Sequence, residues 1–440
     1  MVLATLWLGP VTLHCHLIAS LKTKLSSVYG PCALGTCKNA AHWQARSKRT
    51  FQTMAAAPAF TIIAIPACNE AERIGACLAA LAAQRDRYGS PLSADAFEIL
   101  VFANNCTDDT FAITERIAKS LPQRVVVAEE RLPPEMSNAG WARKRAMDLA
   151  ADRLDELGDA GVVMTTDADS CVSPTWVWSN LQEMSKGVDC VAGYVDAVPT
   201  EIVSLGGSFM RRGRLEDTYL SLVAEILARC DPRAHDPWPN HRVSSGASLA
   251  VTARAYRAIG GLPARPLGED AALTASLEEA GFKVRHSLDV TVQTSCRLVG
   301  RAVGGAADTM QRRLTDLDAP CDEDLEPALH LTRRALCRSL FRRAWIGILD
   351  IDAYSARIVI PRDLIPRLRA EEATFLEAWE AVSAASPVLS RRRTLRPSQL
   401  PREICAARLV LATFCAERPR ATMFPSDKRH REGSGETEPA

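Results

Sequence analysis

The stretch "VVMTTDADSCVSP", residues 162–174, runs an apolar segment straight into Asp167 and Asp169, two carboxylates one residue apart. Residues two apart on an extended chain point the same way, so the two side chains can converge. At about 6 Å two ionised carboxylates repel by roughly 3 kcal/mol at an effective dielectric of ~20. A divalent cation reverses that penalty, and oxygen ligands of this kind suit Mg²⁺ or Mn²⁺, commonly held by one or two carboxylates together with substrate phosphates. The plainer alternative is that Asp and Ser suit a turn after a strand.

Other polar clusters carry complementary chemistry. In "CNEAER" (68–73), Asn69 and Glu70 precede a helical pattern whose first amides could face an anion, while Asn69 with Glu72 also reads as a capping box. In "NNCTDDT" (104–110), Asn104 and Asp108 offer an amide and a carboxylate to a base or ribose, or simply make a turn and a cap. Arg143, in "AGWARKRAMDLA", could bring a guanidinium to a base or phosphate, or lie in solvent. Glu269 and Asp270 open a helical pattern in "GLPARPLGEDAALTASLEEAGF", where the helix dipole favours acids whatever their job.

The elements that must position these groups alternate. Short apolar strands are expected at 60–65, 97–102, 124–128 and 161–166, with helical patterns after the first three. Fully apolar strands joined by helices imply a parallel sheet covered on both faces, with ligands bound outside the carboxyl ends of its strands. "CNEAER", "NNCTDDT" and "DADS" all fall at such ends. Further strands are expected at 187–195 and 247–253 and a helix at 208–228, then mostly helix with basic faces from about 320.

The chain has 440 residues, 47% hydrophobic and 24% charged, which fits a folded protein with one large domain and an appendage. A net charge of +1 gives no electrostatic reason for nucleic-acid binding. Fourteen cysteines without regular spacing fit a reducing compartment better than a disulfide framework. The N-terminal stretch "MVLATLWLGPVTLHCHLIASL" is interrupted by Gly9, Pro10, His14 and His16, so a membrane anchor is not expected there. Residues 1–53 differ in character from the rest, and Met54 is the expected biological start. The expected organisation is an extension over 1–53, a catalytic domain over 54–305, a helical extension over 306–416 and a disordered tail over 417–440.

Taken in order, "IPACNEAER", "NNCTDDT", "TTDADS", "GASLAVTARAYRAIGGLP" and "LGEDAALTASLEEAGFKV" resemble the GT-A glycosyltransferases of family 2, the inverting group. The resemblance spans about residues 58–305, including the closing "TSCRLVGRAVGG". It implies an α/β fold with a Rossmann-like, doubly wound, mostly parallel sheet and a C-terminal helical extension. It also implies a nucleotide-diphosphate sugar donor, a Mn²⁺ or Mg²⁺ ion on Asp167 and Asp169, and a catalytic base at Asp270 beside Glu269. Pro66, Asn69, Glu70, Asn104, Asp108 and Arg143 fall where such proteins contact the nucleotide, and Arg297 and Arg301 are candidates to steady the leaving diphosphate. Cys68 stands where an aromatic residue is frequent, Asn104 where an acid is common and Lys144 where Asn is common. "QTSCRLVGR" lacks the tryptophan of processive synthases, which implies transfer of a single sugar.

The acceptor implied is a carbohydrate or a lipid-linked molecule. Trp238, His235 and His241 in "RCDPRAHDPWPNHRVSSGASLAV" are candidates for its wall, while Cys230, His235 and His241 lack a fourth partner at zinc spacing. Arg333, Arg334, Arg338, Arg342 and Arg343 flank a stripe of Leu336, Leu340 and Ile348. That stripe reads as a helix packed on the catalytic domain, or as a peripheral contact with an anionic membrane. The setting expected is cytoplasmic. A nucleotidyltransferase would place a Gly-rich loop after the first strand, which "PACNEAER" lacks, and a non-catalytic nucleotide-sugar binder would not need Asp270. No G-x-G-x-x-G follows an early strand, so a dinucleotide dehydrogenase is disfavoured.

Overall fold

The computed structural model describes residues 60–156, 161–300, 304–322, 325–390 and 394–416. The segments 1–53 and 417–440, the Met54 start and Arg301 lie outside the described residues. Eight strands form one sheet: β1 (Thr61–Ala67), β2 (Glu98–Asn104), β3 (Val125–Glu130), β4 (Val162–Thr165), β5 (Ser170–Val172), β6 (Cys190–Ala197), β7 (Leu249–Thr252) and β8 (Val284–Thr294). Their order across the sheet is β3-β2-β1-β4-β7-β6-β8-β5.

Strand–helix alternation correctly anticipates the first half. β1 pairs in parallel with β2 and β4, and β2 with β3, the crossovers running through helices Ile74–Ala82, Thr110–Ala118 and Ala139–Glu156. β6 and β8 are also parallel, whereas β4–β7, β6–β7 and β5–β8 are antiparallel. The antiparallel insertion follows from connectivity, since β7 is reached through a long loop after helix Gly207–Cys230 and not through a direct strand–helix crossover.

The pleat explains the core. Ile62 and Ala64 of β1 face one cluster with Ala146, Ala150 and Leu154, while Ile63 and Ile65 face another with Leu78, Leu81 and Trp176. Ile62 to Ile65 are wholly buried, and each such isoleucine contributes about 1.5–3 kcal/mol. In β1 both faces are therefore apolar, and polar groups follow its carboxyl end.

The helical extension has its own cores. Helices Ala328–Trp345 and Leu400–Ala416 pack on Gly207–Cys230 through Tyr219, Leu331, Ala335 and Leu411. Phe341 lies against Tyr354, Phe375 and Trp379 at centroid separations of 5.3–5.8 Å, spacings at which ring pairs attract. Leu340 is buried, so this face of the arginine-rich helix meets protein, although Ile348 beyond its end is exposed. No described helix is long and apolar enough to cross a membrane.

Candidate active site

The parallel register brings β1, β2 and β4 to one rim, with Ala67 beside Ala103 and Ala64 beside Thr165. A cavity of about 290 Å³ opens there. Pro66, Cys68, Glu70, Asn104, Arg143, Asp167, Asp169 and Arg297 line it, with Ser245 and Ala247 from the approach to β7 and Gly305, Ala306 and Met310 around the start of helix Ala306–Thr315. Most of the sequence candidates thus share one wall.

Arg143 sits at its centre and does not project freely. Its Nη2 donates to Asp167 Oδ1 at 2.6 Å, Nε to Glu269 Oε1 at 3.1 Å, and Nη1 to Gly246 O at 2.8 Å and Thr165 Oγ1 at 3.2 Å. Burial works against its charge, yet Asp167 and Glu269 hold the guanidinium above its ordinary value. Gly246 must be glycine for this packing: a Cβ there would lie 2.2 Å from the Arg143 guanidinium carbon. At Gly140 a Cβ would lie 1.8 Å from the Arg265 carbonyl oxygen, so that position too requires glycine.

The Gly246 peptide joins two halves of the site. Its carbonyl accepts from Arg143, while its N–H donates to Asp270 Oδ2 at 2.9 Å. Asp270 Oδ1 accepts from the Ala271 N–H at 2.8 Å, at the start of helix Glu269–Glu279. Asp270 stays partly exposed behind the Ser245–Ala247 wall, whereas Glu269 is buried on Arg143. Of this acidic pair, Asp270 has the exposure a reacting group needs and Glu269 holds Arg143.

Across the cavity, Glu70 takes the Arg297 fork through both oxygens at 2.6 and 2.7 Å, and Arg297 also reaches Asp169 at 3.1 Å. Burial, with Asp167 beside it, pushes the Asp169 carboxyl up to about 6 despite Arg297. Around the cavity, the four carboxylates of Glu70, Asp167, Asp169 and Glu269 share the two guanidinium groups of Arg143 and Arg297. Asn104 is buried, and among the described residues its Oδ1 has no hydrogen-bond partner. Its place in the cavity wall leaves that acceptor for a ligand.

Two sequence candidates instead build the loops. Asn69, at φ 55°, does not cap the first helix, which begins at Ile74 with no side-chain cap. Its Oδ1 accepts from Thr107 N at 2.7 Å, so a tie to the loop after β2 wins over the capping-box pattern. Asp108 accepts from Thr110 N at 3.0 Å and Ala71 N at 3.2 Å, tying the ends of β1 and β2 together. Glu201 was not anticipated: it accepts from Cys296 N at 2.7 Å and Ser295 Oγ at 3.0 Å and pairs with Arg73, fixing the approach to Arg297. No local sequence signal marks a glutamate that acts at this distance.

In the loop before β7, Trp238 is 37% exposed while His241 is buried. His241 Nε2 donates to Ala192 O at 3.1 Å and Nδ1 accepts from Val243 N, which specifies the neutral ring. Cys230, His235 and His241 form no metal cluster among the described residues. Burial, with His286 alongside, holds the His241 imidazole down at about 4. An unfolded histidine titrates near 6.5, so His241 contributes fully above that pH, and roughly 3 kcal/mol is lost as pH falls towards 4. Urea midpoints at pH 7 and 4.5 should separate by less in His241→Gln than in the parent. An equal separation in both would contradict this.

In sequence, residues 62–222 match the model for glycosyl transferase family 2, and no curated protein matches the chain. In structure the chain is similar to the mannosyltransferase PcManGT from Pyrobaculum calidifontis, solved with GDP-Man and Mn²⁺, at 16% identity over 81% of this chain and 79% of that one, TM-score 0.37. It is also similar to residues 1–349 of S. aureus TarS solved with UDP-GlcNAc, at 16% identity over 81% and 92% of the two chains, TM-score 0.41. The family 2 match covers β1 to helix Gly207–Cys230, the segment whose strand ends open on the cavity, and supports a glycosyltransferase.

Proposed function

We propose that the protein transfers a single sugar, with inversion, from a nucleotide-diphosphate donor to an acceptor hydroxyl. The observation that carries this is the convergence of Asp167, Asp169, Glu70, Arg297 and the orphaned Asn104 amide on one cavity, with Asp270 behind its wall. Asn104 Oδ1 accepts an N–H from the base. Arg297, released in part from Glu70, steadies the diphosphate.

The residues fit a divalent cation. Asp167 and Asp169 offer hard carboxylate oxygens at the cavity wall, where four carboxylates share two arginines. Among the described residues no cage of three or more ligands exists, which suits an ion completed by substrate phosphates. When bound, Mn²⁺ or Mg²⁺ supplies Lewis-acid stabilisation of the charge that builds on the leaving diphosphate. Arg143 fixes the Asp167 carboxylate through Nη2, and Glu269 fixes Arg143. Asp270, oriented by the Gly246 and Ala271 amides, takes the proton from the acceptor hydroxyl as it attacks the anomeric carbon. A single displacement inverts the configuration.

The acceptor is a carbohydrate or lipid-linked hydroxyl, and the setting is cytoplasmic with at most peripheral membrane contact. The irregular cysteine spacing supports that setting. A thermal-shift screen of UDP, GDP, TDP and CMP sugars, with and without Mn²⁺, tests the donor. One nucleotide series should stabilise the fold by about 2.7 kcal/mol at a hundredfold excess over Kd, and more strongly with Mn²⁺. No response to any series would sink the proposal.

A further inference from the structure

Away from the cavity, five arginines gather where the loop after Cys230 meets helix Ala328–Trp345: Arg233, Arg242, Arg285, Arg338 and Arg342. They face four carboxylates. Asp231 takes Arg342 at 3.0 and 3.3 Å, and Glu278 takes Arg233. Asp236 is shared by Arg285 and His286 at 3.0 Å and by Arg242 at 3.7 Å. Glu183, 3.9 Å from Arg285, is occupied by Lys186 at 2.8 Å.

Arg338 is left over. Among the described residues it makes no hydrogen bond or ion pair, and its Nε is buried without a partner. Its guanidinium stands 5.8 Å from the Phe375 ring centre, a ring that Arg342 covers at 4.3 Å. Burial and the neighbouring Arg233 lower Arg338 to about 10, and the same two causes lower Arg242. A half-buried guanidinium kept beside like charges is unfavourable unless an anion completes the group. The side chains of Arg242 and Arg342 are 30% and 41% exposed, so the cluster opens to solvent.

We propose that Arg338, with Arg342 one turn along the same helix and over the same Phe375 ring, binds a phosphate group at the seam between the loop before β7 and the helical extension. Two guanidinium forks one helical turn apart beside one aromatic ring offer paired N–H donors to phosphate oxygens. The seam also borders helix Glu269–Glu279, where Glu278 lies about 12 Å along the axis from Asp270. Free phosphate, a phosphorylated small acceptor and a lipid phosphate share this chemistry. Phosphate binding itself does not depend on the donor reading.

The test is a thermal titration of the full chain with inorganic phosphate at constant ionic strength. A saturable rise in Tm is expected. Arg338→Gln should raise the phosphate-free Tm, because a repelled charge is removed, and should weaken phosphate about tenfold or more. Arg342→Gln should also weaken it, and Arg338→Lys should fall between. An Arg297→Gln background should keep the response, which separates this site from the donor cavity. The inference is overturned by an absent response, by one unchanged in Arg338→Gln, or by one that disappears with Arg297→Gln instead. Co-sedimentation with phosphatidylcholine vesicles, with and without phosphatidic acid, distinguishes the sources. Arg338-dependent binding confined to the acidic vesicles assigns a lipid phosphate, and a response to phosphate alone assigns a soluble one.

Discussion

Replacing Asp270 with Asn should lower kcat by about 10²–10⁴ while leaving donor affinity unchanged. The substitution keeps the shape of the side chain and an oxygen able to accept the Gly246 N–H, 2.9 Å away in the parent. What it removes is the basicity that, in the proposed mechanism, takes up the acceptor proton. Glu269→Gln should behave differently, because Glu269 is buried on Arg143 at 3.1 Å. Its loss loosens Arg143 and should reduce stability as well as turnover. Progress curves with donor varied at saturating acceptor, beside donor binding measured separately, distinguish the two roles. Turnover in Asp270→Asn within a few-fold of the parent would assign the base elsewhere.

The second large effect concerns Arg143. Arg143→Leu strands Asp167 and Glu269 at the cavity wall without their counter-charge, and breaking a buried pair in this way costs about 3–5 kcal/mol. Lysine should recover little, since one ammonium cannot span Asp167, Glu269, Gly246 and Thr165 together. Adding Glu269→Gln to Arg143→Leu should restore part of the loss, because the stranded carboxylate is then neutral. Urea denaturation of the single and double variants measures this coupling. Strict additivity would show that the two side chains do not depend on one another.

These two residues also show what could be read in the sequence. The rim was legible because apolar runs at β1, β2 and β4 stop at polar clusters, and parallel register then places Glu70, Asn104 and Asp167 together. The chemistry within the rim was only partly legible. Arg143 stands out as a basic residue on a helix, but its partners lie 22 to 126 positions away, beyond any local pattern. Gly246 resembles any glycine before a strand until the guanidinium packed on it is seen. Asn69 and Asp108 show the opposite error, because polar side chains at strand ends must satisfy the loop backbone before they can serve a ligand. β8 also escaped: Arg285, His286 and Ser287 interrupt its apolar pattern because buried partners receive them.

The central claim is that Asp167 and Asp169 hold a divalent ion jointly with the donor's phosphates. Electron paramagnetic resonance of Mn²⁺ tests it directly, since the signal of the free ion falls when the ion is bound. With the stabilising nucleotide-diphosphate sugar present, the parent protein should remove far more free Mn²⁺ than the same nucleotide without protein, and Asp169→Asn should abolish that excess. An excess of equal size in Asp169→Asn, or none in the parent, would contradict it.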